Sequence, residues 1–441
     1  MTDKIKLVYN WIGPRGPIWN TEIPNVLSFA GASEQCAVDS HFWWNDDIWM
    51  TLFCHANEHF EVEAAFNIGV DDTRPFIYPF SLSWRIPFEN YFMGRTGILE
   101  FAHMPGHLIN LVRNKNGYIL INHSVEAFMG AGYISALHSY FSNTHGIPLH
   151  KIIYVTGCIN SAEMYEQYCN NNNIPNDKAH RLTIVSYPSS QTIFKPNLEE
   201  PEAVYDTTTV PQKLFLTWNR RYKPHRIILA LVLESLNLID RSYISFSDVD
   251  IERQTRRFSQ ALPYHYVHNW VGDYITKDTI DAFEARLPLN IDHETNINQM
   301  CEDRGNVSRP FYQNSLVSLI TETNFDNDEV TLTEKSYKPI KEKHPFIILG
   351  VSGVLKGLHK AGFRTFGEFW DESYDDIAEP GARMRHISGV LEAISLWDDE
   401  KILDFKRRVK PILEYNLMVL RESTPKTTVL EIHNNIRNNN A

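Results

Sequence analysis

Between Leu316 and Gly350 the chain sets a carboxylate beside two ammonium groups. The polar stretch Thr331-Leu-Thr-Glu334-Lys335-Ser-Tyr-Lys338-Pro339-Ile340 lies between two apolar runs, Leu316-Val-Ser-Leu-Ile-Thr-Glu322 and Pro345-Phe-Ile-Ile-Leu-Gly350. A carboxylate accepts hydrogen bonds from ribose hydroxyls, and ammonium groups pair with phosphate oxygens, so the grouping suits a nucleotide. Glu322, closing the first run, joins Glu334, Lys335 and Lys338 as a candidate for holding it. The competing explanation is a charged helix on the surface of an α/β domain.

A second basic segment strengthens the nucleotide reading. Asn219-Arg220-Arg221-Tyr-Lys223-Pro224-His225-Arg226 follows a strand-like run and precedes the helical stripe Ile227-Ile-Leu-Ala-Leu-Val-Leu. A helix start offers unpaired N–H groups and partial positive charge, which hold an anion. Cations packed into one turn repel one another unless a negative group sits among them, and a diphosphate is such a group. Arg226 is the leading candidate and Arg221 adds positive potential; a solvated basic loop is the alternative.

The elements that must position these residues read as alternating strands and helices, the signature of a parallel sheet covered on both faces. In the first half, strands are expected at 5–9, 118–122, 151–156 and 181–186, with helices at 124–144 and 161–170. A polar stretch with three prolines, 195–212, reads as a linker. A second series begins at Lys213 and continues with a helix from Arg226, strand 316–321, helix 331–341, strand 345–350 and helix 352–361. The expected architecture is therefore two Rossmann-like, doubly wound α/β domains facing a cleft. Residues 1–200 form the acceptor-side domain, 201–212 the linker, 213–398 the nucleotide-sugar domain and 399–441 a helical tail. Ligands should lie at the carboxyl ends of the strands.

The order of these motifs resembles the nucleotide-sugar half of GT-B glycosyltransferases, most nearly the α-1,3-fucosyltransferase-like group, and also uncharacterised phage and bacterial glycosyltransferase-like proteins. The resemblance spans about residues 213–370. It implies that Glu334 holds the donor ribose and that Lys335 and Arg226 grip its diphosphate. The family's Phe-Glu-Asn-Ser element is replaced here by Thr321-Glu322-Thr323-Asn324, with a longer loop after it. The implied activity is transfer of a hexosyl or fucosyl group from a nucleotide-sugar to a hydroxyl, in the first instance on a glycan. No cofactor is required, because cations at the diphosphate can stabilise the leaving group in place of a metal.

An inverting transfer needs a base for the acceptor hydroxyl. Glu126 and His123, just past the strand ending at Asn122, are the candidates; a helix-start acid and a satisfied loop histidine are the alternatives. Arg15, in Gly13-Pro-Arg15-Gly16-Pro, could shape the acceptor side, or the loop could simply be rigid. Gly350-Val-Ser-Gly353-Val-Leu-Lys-Gly357 matches neither the dinucleotide nor the P-loop fingerprint and reads as a tight strand-to-helix turn.

Three other classes compete. A hydroxymethylated pyrimidine in DNA could be the acceptor, although a formal charge of -12 weighs against adhesion to a polyanion. His55, Glu58 and His59 match the His-x-x-Glu-His pattern of zinc peptidases, but the run before them reads as a strand and 18 histidines make accidental matches easy. A non-catalytic nucleotide- or sugar-binding protein is the third. Asp248-Val-Asp250 and Asp326-Asn-Asp328 allow a divalent metal without favouring one, since turn duty explains short aspartate motifs. Hydrophobic content of 43% and 441 residues imply packed domains, and five cysteines at unpatterned spacing fit a reducing cytoplasm, that of a host if the source is viral. No apolar stretch approaches a membrane span.

Overall fold

A computed structural model of the chain describes residues 4–9, 12–13, 16–17, 59–64, 67–81, 104–124, 129–193, 196, 202–219, 222–248, 264–272, 275–289, 291, 309–424 and 426–440. They form two compact units, 1–189 with 424–441, and 190–423.

The first unit is built on β1 (Ile5–Tyr9), a two-residue hairpin of β2 (Ile12–Gly13) and β3 (Gly16–Pro17), then β4 (Phe60–Ala64), β5 (Phe76–Ser81), β6 (Gly117–His123), β7 (Ile152–Thr156) and β8 (Thr183–Ser186). Apart from the hairpin, these strands make one parallel sheet in the order β4-β1-β5-β6-β7-β8. Side chains alternate between its faces. Ile119 and Ile121 of β6 point to one core, Tyr118 and Leu120 to the other. The first face is covered by α1 (Gly106–Asn114), α2 (Ala131–His138), which runs on into a π-helical turn at Ser139–Thr144, and α3 (Ser161–Asn171). Leu108, Leu111 and Val112 show the three- and four-residue spacing of a buried helical stripe.

The short α4 (Ser189–Ile193) marks the division between units. The second unit holds β9 (Lys213–Asn219), α5 (Pro224–Ser235), β10 (Ser242–Phe246), α6 (Tyr264–Val271), α7 (Lys277–Arg286), α8 (Arg309–Gln313), β11 (Ser315–Thr321), α9 (Glu334–Lys341), β12 (Phe346–Leu349), α10 (Val354–Lys360), α11 (Pro380–Ser395) and α12 (Asp399–Glu422). Its four parallel strands run β10-β9-β11-β12. Strand β11 is buried along its whole length, as a parallel strand covered on both faces must be. The α/β class with two parallel sheets is therefore as the sequence led us to expect. The 399–441 segment is two helices: α12 stays with the second unit, and α13 (Lys426–Asn440) packs on the first, closing its second face with Val429, Ile432 and Ile436. Among the described residues no helix is long and apolar enough to cross a membrane.

Candidate functional site

In the second sheet the chain leaves β9 toward β10 and leaves β11 toward β12, so the strand order reverses between β9 and β11. A crevice opens at such a switch point, beyond the carboxyl ends of the strands. The turn there is Thr321-Glu322-Thr323, and three cations converge on it. Arg226, 5% exposed, donates from Nη2 to the Thr321 carbonyl at 3.3 Å. Lys223 Nζ donates to the Thr323 carbonyl at 2.7 Å. Lys335 Nζ reaches the Thr323 hydroxyl at 3.5 Å, the Thr333 hydroxyl at 3.0 Å and Glu334 Oε1 at 2.7 Å.

The sequence produces this convergence locally. Pro224 starts α5 at a position where its missing N–H costs nothing. That places Arg226 in the first turn, and the buried stripe Ile227–Leu233 fixes the helix against the sheet. Thr333 caps α9, its hydroxyl accepting from the Lys335 amide at 3.4 Å. Capping starts the helix at Glu334, so the acid and the lysine both stand in its first turn.

Glu322 organises the turn. It is 1% exposed, and its carboxylate accepts from the amides of Thr323 (3.1 Å) and Thr333 (2.9 Å) and from the hydroxyls of Thr333 and Ser336 (2.6 Å each). Four donors satisfy a buried carboxylate, which would otherwise be very costly to bury. Asn219, at the end of β9, accepts from the Thr321 hydroxyl at 2.6 Å and ties the two strands together.

Electrostatics bind the cations to one locus. His225 is buried, lies 2.9 Å from the Glu322 carbonyl through Nε2 and stacks on Phe325 at 5.2 Å. Its pKa is driven well below the ordinary histidine value by burial, then by the charges of Arg226, Lys223 and Lys335, against the Glu322 hydrogen bond. A neutral imidazole therefore sits in a strongly positive field. Burial acts to raise the Glu334 carboxyl, but Lys335 and Lys338 overcome it and hold the group at about 2. Glu334 is ionised at neutral pH and acts only as a hydrogen-bond acceptor.

Residues the sequence reading passed over complete the support. Lys223 belongs to the basic run already singled out. Arg383, 2% exposed, donates to the carbonyls of Ile377, Ala378 and Phe325 and lies 4.5 Å over the Phe325 ring, which also stacks on Trp270 at 5.4 Å. No sequence signal marked Arg383, because its partners are backbone carbonyls, two of them five and six residues back and the third 58 positions away at Phe325. The N-terminus of α10, after Gly350, is filled by the chain itself: the Asp375 carboxylate accepts from the Leu355 (3.0 Å) and Lys356 (3.1 Å) amides. Gly353 takes φ +83°, the left-handed backbone a tight turn demands.

In the first unit His123 ends β6, one strand away from the β1/β5 switch point. Its Nδ1 lies 2.9 Å from the Tyr133 hydroxyl and 3.1 Å from that of Tyr154, and burial lowers its pKa to about 3. An imidazole that weakly basic takes little of a hydroxyl's proton at neutral pH. Glu126, Arg15, Arg221, His55, Glu58 and Asp250 lie outside the described residues. His59 precedes β4, its ring 4.6 Å from that of His433 on α13. Among the described residues no three His, Cys, Asp or Glu side chains stand together as metal ligands would.

No protein-family model matches the sequence, and no curated protein sequence does. Among solved structures, the chain is similar to an α,α-trehalose 6-phosphate synthase from Burkholderia multivorans, with 12% identity over 85% of this chain and 72% of that one and a TM-score of 0.41. It is also similar to the spinosyn rhamnosyltransferase SpnG, with 7% identity over 95% of this chain and 99% of that one and a TM-score of 0.29. Neither likeness is close enough to bear on function, which rests on the site itself.

Proposed function

We propose that the chain is a glycosyltransferase of the GT-B kind whose second unit holds a nucleotide-sugar donor at the β9/β11 switch point. The observation that carries this reading is the gathering of Arg226, Lys223 and Lys335 on the single turn Thr321–Thr323, beside the first turns of α5 and α9. Arg226 and Lys335 grip the diphosphate, Lys338 and Arg221 add positive potential, and the ionised Glu334 accepts from the ribose hydroxyls. Glu322 shapes the turn that presents them. As the glycosidic bond breaks, negative charge grows on the departing nucleoside diphosphate, and the fixed cations stabilise it without reorganisation.

The acceptor is a hydroxyl, on a glycan in this reading, and Arg15 stands on its side. Glu126 is the base we assign to its proton. His123, held neutral against Tyr133 and Tyr154, serves to fix the end of β6 instead. A divalent metal is not required by this arrangement.

The test is a thermal-shift screen of the full chain with UDP, GDP, ADP and CMP, followed by donor turnover with the sugar nucleotides of whichever base binds. A ligand specific for the folded form at about 100 times its Kd adds about 2.7 kcal/mol of stability. One nucleoside diphosphate raising the melting point above its own monophosphate, run beside it as the control, supports the reading. No shift from any of them overturns it.

A further inference from the structure

The second unit carries another concavity, of about 490 Å³, none of whose lining residues belongs to the Thr321–Thr323 turn or to the first turns of α5 and α9. Its floor is one face of α11, where His386, Gly389, Val390 and Ala393 follow at three- and four-residue spacing. Gly389 is exposed, and a Cβ placed on it would meet none of the described residues within 4 Å. Mid-helix glycine is unfavourable relative to alanine. Gly389 has no positive φ, and no packed neighbour demands a glycine there. What it does provide is a notch in the helix surface.

Aromatic walls rise around that notch. Trp370 and Trp397 stand 5.7 and 5.2 Å from the Phe405 ring between them, and Lys401 lies 4.8 Å over Trp397. Among the described residues, the indole N–H of Trp370, a residue 7% exposed, meets no hydrogen-bond partner. Two of the basic groups at the rim, His386 and Arg385, face carboxylates, while the Lys401 ammonium lies over the Trp397 ring. His386 Nε2 lies 3.0 Å from Asp371 Oδ2, and Arg385 lies 3.6 Å from Glu379 while donating to the Trp270 carbonyl at 2.7 Å. An anion approaching His386 or Arg385 would have to displace carboxylates already in place. Paired donors and acceptors beside aromatic surface instead match a pyranose, with its ring of hydroxyls and its apolar C–H faces. The volume falls within the span of about 300–1,000 Å³ usual for small-molecule sites.

We propose that this pocket binds a neutral saccharide of one or two rings, in a site separate from the donor turn. Asp371 and His386 bond its hydroxyls, and the notch at Gly389 admits the ring. The proposal goes beyond the donor reading and does not depend on it.

Ligand-observed NMR and calorimetry on the full chain test it, with methyl glycosides of glucose, galactose, mannose and rhamnose, with maltose, and with inorganic phosphate as the charged control. Gly389→Leu fills the notch and favours the helix, so the variant should fold. Binding of at least one saccharide, weakened roughly tenfold or more by Gly389→Leu and several-fold by Asp371→Asn, is the expected result. Lys335→Ala should bind that saccharide as wild type does. Equal binding in Gly389→Leu, loss of saccharide binding in Lys335→Ala, phosphate as the sole ligand, or no saccharide binding at about 20 mM would each overturn the proposal. A donor screen that fails while the saccharide result holds would refute the donor reading alone.

Discussion

Replacing Lys335 by alanine separates a ligand-gripping lysine from a decorative one. In the free protein its ammonium is held by Glu334, Thr333 and Thr323, at 2.7, 3.0 and 3.5 Å. The side chains of Lys335 and Glu334 are 28% and 38% exposed, so water competes for the pair. Such a pair is worth at most about 1 kcal/mol. Lys335→Ala should therefore fold, with its melting point lowered by no more than about 2–4 °C. Against a diphosphate the same ammonium makes a charge-assisted contact worth about 1.5–3 kcal/mol. At 1.4 kcal/mol per decade that is roughly a 10- to 140-fold rise in Kd. Calorimetric titration of the nucleoside diphosphate into both proteins, with circular dichroism melts as the folding control, measures the two quantities independently. Affinity unchanged within about twofold would refute the placement of the phosphates. A large drop in melting point with little change in Kd would show that the lysine serves the fold instead.

Glu322→Gln puts an amide where a carboxylate now accepts four hydrogen bonds, setting N–H groups against two of those donors; urea unfolding should show a loss of about 2–3 kcal/mol, and an unchanged midpoint would deny Glu322 its organising role. Arg383→Lys cannot span three carbonyls or lie flat on Phe325, and it should cost about 2 kcal/mol in the same assay while weakening nucleotide binding through the loosened Phe325 segment. His123 and His344 have folded pKa values lowered by burial to about 3 and about 4, against 6.5 for the free side chain. Both contribute stability that is fully present above pH 6.5 and is lost as pH falls through the window toward 4 and 3, because the unfolded chain takes up the proton first. Unfolding midpoints should fall across that window, and His344→Gln should flatten the slope; a pH-independent midpoint between 6.5 and 4 would contradict the burial of these imidazoles.

Much of the fold was legible because each sheet is parallel and buried, and so each strand reads as a compact apolar run. The expected 316–321 and 345–350 runs are β11 (Ser315–Thr321) and β12 (Phe346–Leu349). Helix starts were less legible. Arg226 was expected to lead its helix, but α5 begins at Pro224 and Arg226 is buried against the β11 end. The 331–341 expectation overran the true start because Thr333 is the cap. The candidate site was legible where charge is dense in sequence, at 219–226 and 334–338. It was not legible where meaning comes from partners: Glu322 was expected among the residues that hold the nucleotide, whereas its four donors, 1 to 14 positions away in sequence, engage its carboxylate with the turn itself. Arg383 drew no notice in the sequence, and its role emerges only with the Phe325 ring and carbonyl, 58 positions away, beside its guanidinium.

The return of α13 to the first unit has a consequence for biosynthesis. Ile5, Leu7, Ile77, Leu120 and Val155 share a core with Val429, Ile432 and Ile436. A ribosome that has finished Ser189 must add 436 − 189 = 247 further residues before that apolar surface can be covered. At roughly 5–20 residues per second this takes roughly 12–50 s. For that interval the nascent first unit carries an open greasy flank while an entire second unit emerges behind it. Chaperone occupancy during translation should concentrate in that window, and a ribosome stalled before codon 429 should leave an aggregation-prone product even though its early strands are all present.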